Sequence, residues 1–130
     1  MTQITGVDFV AIQTRDHAAA ATFYGETLGL PFLKSWGSMP ASEYQAGNLT
    51  LAVMQSDAFG LEFAPGSALI ALQVDDVAAT RAELEGKGVQ FRGEILDSGV
   101  CFQTFFTDPD GNPLGLHHRY APPETRPGAE

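Results

Sequence analysis

Phe105-Phe106-Thr107-Asp108-Pro109-Asp110-Gly111-Asn112-Pro113-Leu114-Gly115-Leu116-His117-His118-Arg119-Tyr120 is the stretch on which the reading of this chain turns. Pro109 presets φ for a first turn position, Asp110 can close an Asx-type bond, and Gly111 or Asn112 tolerates positive φ. An aromatic, β-prone run precedes the turn and an alternating run follows it. The stretch therefore predicts strand, tight turn, strand.

Upstream, the chain repeats itself. Ala11-Ile12-Gln13-Thr14-Arg15-Asp16 is echoed by Ala71-Leu72-Gln73-Val74-Asp75-Asp76. Each run reads as a strand that delivers an aspartate to an N-cap position. After Asp16, the alanines at 18–21 favour a helix with Ala20, Phe23, Tyr24 and Leu28 on one face. Gly29 stops that helix and Pro31 cannot prolong it. After Asp76, a helix with Val77, Thr80, Arg81 and Leu84 along one side stops at Gly88. Strands are expected at Leu30–Trp36, Ser42–Ala46 and Leu49–Met54, with a counterpart to Leu30-Pro31-Phe32 in Val89-Gln90-Phe91. Gly47-Asn48 before the fourth strand matches Gly111-Asn112 before the eighth. Each half is thus strand, helix and three strands, and two copies mean a duplicated module and not a solenoid. Residues 55–67, with two glycines and a proline, read as a linker long enough to form a flap over a site.

Composition narrows the classes. A chain of 130 residues fits one domain with its own core, and 44% hydrophobic against 18% charged residues is ordinary for a globular protein. No apolar run approaches a membrane span, and Met1-Thr2-Gln3 does not open a secretory signal. Cys101 is the lone cysteine, so no internal disulfide forms and a reducing, cytoplasmic setting is expected. Sixteen acidic residues against seven Lys and Arg give a net charge of −9. That argues against nucleic acid and anionic membrane as partners. It leaves two explanations, solubility and a preference for cationic ligands.

With its paired βαβββ plan, Phe23-Tyr24-Gly25-Glu26-Thr27-Leu28-Gly29-Leu30 and the Asp108-to-Asn112 turn, the sequence resembles the vicinal oxygen chelate superfamily. That group includes glyoxalases, extradiol dioxygenases, fosfomycin-modifying enzymes and bleomycin-binding resistance proteins. The resemblance spans about Thr5 to Tyr120. It implies an α+β fold of two tandem βαβββ modules, about 5–55 and 68–120, forming a curled mixed sheet of half-barrels. These modules make up a single domain over 1–120, followed by a flexible tail at 121–130. It also implies a site inside the cup of the curled sheet.

Metal-dependent members of that group place His, Glu or Gln ligands on the first and last strands of each module. Carried onto this chain, those positions hold Phe9, Leu69, Gly115 and, as the repeat mate of Gly115, Leu51. None offers a metal donor, so no metal and no cofactor is expected. His117 and His118 cannot both enter one cup, because neighbouring strand residues point to opposite faces. His17, at a helix start, is expected to face solvent.

Strand parity fills the cup with Phe9, Ala11, Leu51, Val53, Leu69, Ala71 and Gln73, with His117 and Arg119 toward one end. Trp36, Phe59, Phe63 and Phe102 serve as walls or lid, and Gly115 leaves space where a carboxylate would stand. Glu43 and Gln45 line the cup only if the third strand turns them inward, and the Gly37–Pro40 turn leaves that register open. The ligand-binding candidates are therefore Phe9, Leu51, Leu69, Trp36, Phe102, Gly115, His117 and Arg119. No catalytic residue is identifiable. Cys101 reads as a small buried apolar residue, the tyrosines as packing, and Asp75-Asp76 as a helix cap.

Three functions compete. A metal-free binding protein that holds an apolar or aromatic small molecule, as a homodimer, fits best. A lyase, isomerase or dioxygenase acting on a small organic substrate would need acid–base groups that are not identifiable in the sequence, or an external cofactor. An interaction domain without a ligand would have its cup filled by its own side chains.

Overall fold

The computed structural model describes residues 3–122. Its elements are β1 (Val10–Thr14), α1 (His17–Thr22) continued by a π turn (Phe23–Thr27), β2 (Phe32–Ser35), β3 (Ala41–Ala46) and β4 (Leu49–Gln55). A 3₁₀ turn (Ser56–Phe59), β5 (Ile70–Gln73), α2 (Val77–Gly86), β6 (Phe91–Asp97), β7 (Cys101–Thr107) and β8 (Pro113–Arg119) follow. The expected strand–helix–three-strand order occurs twice, as two four-stranded mixed sheets ordered β1-β4-β3-β2 and β5-β8-β7-β6. In each, the first strand runs parallel to the fourth. Neither sheet closes into a barrel. From residue 123 on, the tail expected at 121–130 lies outside the described residues.

The repeat is physical as well as textual. Asp16, at φ −145° and ψ 98°, accepts a hydrogen bond from the Ala19 amide at 3.2 Å. Asp76, at φ −143° and ψ 104°, accepts from the Ala79 amide at 2.9 Å. Each aspartate satisfies one of the orphan amides of a helix start.

The chain divides into two compact units, one running to Leu69 and including Thr107–Pro113, the other comprising Ile70–Phe106 and the chain from Leu114. In the first unit, register sorts the sheet into two faces. Val10, Leu51 and Tyr44 are cross-strand partners, as are Ile12, Val53 and Ser42. Paired residues share a face, and this one meets the helix: Tyr24 and Tyr44 stack at 6.4 Å, and His17 Nε2 lies 2.8 Å from Ser42 Oγ. Leu51, Val53 and Tyr24 are all fully buried there. His17, expected at the surface, is held against this face instead.

Beyond α1 the helix widens. The Leu28 amide donates to the Phe23 carbonyl, five residues back, at 2.8 Å. Gly25 stands in this widened turn directly against Tyr44, where a Cβ would come within 3.2 Å of the ring. Helical periodicity alone does not foresee this, because the turn is shaped by the ring packed beneath it.

In the second unit, α2 buries Val77 and Leu84. Arg81 reaches from α2 to the fully buried Thr104 (Nη1 to Oγ1, 2.8 Å), with its guanidinium 4.9 Å from the centre of the Phe91 ring. Leu114 and Leu116 of β8 are buried, as their parity predicts.

Candidate functional site

The turn that decides the fold proves to be a fastening. Asp108 Oδ1 accepts from the amides of Asp110 and Asn112, both at 2.9 Å, and Oδ2 accepts from Tyr24 Oη at 2.7 Å and Asn112 Nδ2 at 2.8 Å. Asn112 Nδ2 also donates to the Gln13 carbonyl at 2.9 Å, while its Oδ1 accepts from the Gly66 amide at 2.7 Å. Gly111, at φ 92°, makes the sharp reversal that lets one carboxylate collect these donors. Asp110 accepts from the Thr14 hydroxyl and from the Arg15 amide. The motif thus ties β1, the helix and the linker together. It holds structure, and its polar groups are already saturated.

The opposite face of the first sheet is different. Ala11, Ala52 and Glu43 are cross-strand partners on it, as are Gln13, Met54 and Ala41. Trp36 gathers the cluster here. Its ring meets Phe9 edge-on at 5.5 Å and Phe59 at 5.9 Å, and its Nε1 donates to Glu43 Oε2 at 2.8 Å. Phe9 is 40% exposed, so the cluster is open on that side. Phe59 comes from the linker, which is tied in place. Gln13 Oε1 accepts from Ser56 Oγ at 3.0 Å and from the Ala64 amide at 3.1 Å, and the Arg15 guanidinium lies 3.9 Å from the centre of the Phe63 ring.

Two of the expected site residues need correction. Leu51 does not share a face with Phe9 and Ala11; it pairs with Val10 and Tyr44 and is buried on the helix side. The position on Ala11's face is Ala52. Phe102 lies two residues from Thr104 and so shares the face that α2 contacts, and its ring lies 4.8 Å from Tyr120. Both errors come from strands without a polar face to reveal their parity. Glu43 and Gln45 are the residues that sequence reading left open. The signal that fixes them is Gly47-Asn48: a two-residue turn with Gly47 at φ 60° pairs Ala46 with Leu49, which sets Glu43 opposite Ala52.

The remaining candidates fall into two sets. Phe9 and Trp36 meet in the first unit. In the second, Ala71 pairs with Gly115 and Gln73 with His117, so Gly115, His117 and, by alternation, Arg119 share one face of that sheet. Gly115 is buried, His117 half-buried and Arg119 exposed, and Leu69, just ahead of β5, is 46% exposed. His118 turns to the other face and hydrogen-bonds the Val74 carbonyl through Nδ1 at 3.1 Å.

The donor chemistry does not fit a metal centre. Phe9, Leu69, Gly115 and Ala52, the register-corrected mate of Gly115, carry no ligating side chain. Among the described residues, no three His, Cys, Asp or Glu side chains converge as a metal site would need. Cys101 is buried.

Residues 6–116 match the model of the Glyoxalase/Bleomycin resistance protein/Dioxygenase superfamily. An Escherichia coli (strain K12) protein, the uncharacterized protein YaeR, is 32% identical over 87% of this chain and 95% of its own length. TnmS3, an antibiotic binding protein from Streptomyces sp. CB03234, superposes with a TM-score of 0.74 at 25% identity, covering 92% of this chain and 99% of that one. A lactoylglutathione lyase from Agrobacterium tumefaciens superposes with a TM-score of 0.73 at 16% identity, covering 89% and 95% respectively.

Proposed function

We infer a function for this chain from its family, for it belongs to the Glyoxalase/Bleomycin resistance protein/Dioxygenase superfamily: it is a metal-free small-molecule binding protein that holds an apolar or aromatic ligand without turnover. The observation that carries this reading is the open aromatic cluster of Phe9, Trp36 and Phe59, on a sheet face where the expected donor positions are apolar. Aromatic walls with one or two placed polar groups are the make-up of a ligand site. Burial of a planar body against them contributes roughly 25 cal/mol per Å² before ordering costs. The likeness to an antibiotic binding protein at 25% identity supports the same reading.

Phe9 and Trp36 are proposed to contact the ligand, with Ala52 as floor in place of Leu51. Leu69, at the end of the first unit, and Gly115, His117 and Arg119 of the second are the other proposed ligand-facing positions. The protein is proposed to act as a homodimer.

The test uses N-phenyl-1-naphthylamine, an uncharged fluorescent aromatic. Saturable binding with quenching of Trp36, lost on Phe9→Glu and unaffected by chelator, is the expected result. Binding that ignores Phe9→Glu places the ligand elsewhere. Chemical consumption of a bound aromatic compound by the purified protein would replace this reading with an enzymatic one.

A further inference from the structure

We propose that the ligand held on this face is an organic cation, an amine or quaternary ammonium carried on an aromatic body, with Glu43 as its counter-charge; this rests on the binding reading above and sharpens it. Glu43 projects from β3 onto the face it shares with Ala11 and Ala52, where its carboxylate accepts from the Trp36 indole. It is half-buried, and among the described residues no basic group forms an ion pair with it. A carboxylate drawn partly out of water onto an aromatic surface is costly unless a donor or cation meets it. The indole N–H of Trp36 meets one oxygen only. That bond also fixes where the carboxylate stands, so its charge is positioned before any ligand arrives.

The rings complete the argument. Trp36, which holds the carboxylate through its indole N–H, meets Phe9 and Phe59 in one continuous aromatic group. Ring faces attract cations and offer nothing comparable to anions. An anionic ligand would meet Glu43 at close range and a chain of net charge −9 at long range. One basic residue competes. Lys34 is the cross-strand partner of Glu43, on the exposed edge strand β2. No ion pair joins the two, and an exposed pair of that kind would be weak enough for a ligand cation to displace.

Three naphthalenes of matched size isolate the charge: 1-naphthylmethylamine, 1-naphthylmethanol and 1-naphthoate, titrated calorimetrically at pH 7. The amine should bind about tenfold more tightly than the alcohol, the scale of one partly desolvated cation–carboxylate and cation–ring contact, and the acid most weakly. Glu43→Gln keeps an acceptor for the Trp36 indole, so it should erase the amine's advantage and leave the alcohol within about twofold. Lys34→Met should strengthen amine binding. If amine and alcohol bind alike, or Glu43→Gln leaves the preference intact, the cation assignment fails while the binding function stands. If the acid binds tightest, an anion site such as His117 and Arg119 is the anchor and the assignment is again overturned. If none of the three binds at millimolar concentration, the binding function falls, and the cation assignment with it.

Discussion

At the scale of single residues, the contact with the sharpest consequence is the buried phenol of Tyr24 on the carboxylate of Asp108. Tyr24 is fully buried and Asp108 is 4% exposed. Burial first, and then the neighbouring Asp108 charge, push the phenol far above its ordinary range. The folded chain therefore keeps this proton at high pH, whereas the unfolded chain releases it above about pH 10. Above that point the unfolded state binds fewer protons, so stability falls as pH rises, at up to about 1.4 kcal/mol per pH unit from this group. Denaturant titrations between pH 8 and 11 should show that decline, and Tyr24→Phe should flatten it. At pH 7 the same substitution removes one of four donors to a buried carboxylate and should cost about 1.5–3 kcal/mol. Equal stability of the two proteins at pH 7 would show that the bond contributes nothing net.

At the scale of elements, the two N-caps and the strand β4 teach opposite lessons. Each cap is a local device: an aspartate in extended conformation whose carboxylate takes the amide three residues on. Asp76→Ala should destabilise by about 1 kcal/mol, and Asp76→Asn, which keeps the acceptor, by much less. Thermal unfolding of the two variants side by side checks this. Strand β4 lies between β1 and β3 with Leu51, Ala52 and Val53 buried in succession. A strand covered on both faces shows no alternation, so its sequence does not reveal which residues face which side. The linker is the third case. Its length announced a flap, but its attachment through Gln13, Asn112 and Gly66 depends on partners far away in sequence. Gln13→Ala leaves the Ala64 amide and the Ser56 hydroxyl without their acceptor, so limited proteolysis within residues 56–66 should accelerate several-fold.

At the scale of the whole molecule, both edge strands of the first sheet carry apolar side chains into solvent. Val10 of β1 and Val7 just ahead of it are 37% and 71% exposed at one edge, and Phe32 and Leu33 of β2 58% and 47% at the other. Unprotected apolar edges invite pairing, and a two-fold arrangement is the commonest way to satisfy it. Light scattering at micromolar concentration should return about twice the 13.9 kDa chain mass. Leu33→Lys or Val7→Lys should shift that value toward the monomer if either edge carries the contact. A chain that stays monomeric at high concentration would remove the dimer from the proposed function. No helix among the described residues is long and apolar enough to cross a membrane.

What the sequence determined by itself was everything written in local chemistry. The doubled plan, the capping aspartates, the glycine turns and the Asp108–Asn112 reversal each rest on residues within a few positions of one another, where propensity and short-range hydrogen bonds decide. The family followed from that order of motifs, as did the absence of ligating side chains at Phe9, Leu69 and Gly115. Only the tertiary structure decided which face each buried strand presents. A one-residue change of register exchanges the two sides of a sheet, and the polar residues beside Leu51 and Phe102 (Thr50, and Gln103 with Thr104) do not alternate in a way that betrays it. The same holds for the two partnerships that define the candidate site. Trp36 finds Phe9 and Phe59 from three separate segments, and Glu43 reaches the aromatic face because its hairpin sets it opposite Ala52. Such meetings are set by packing between distant parts of the chain, which no periodicity records.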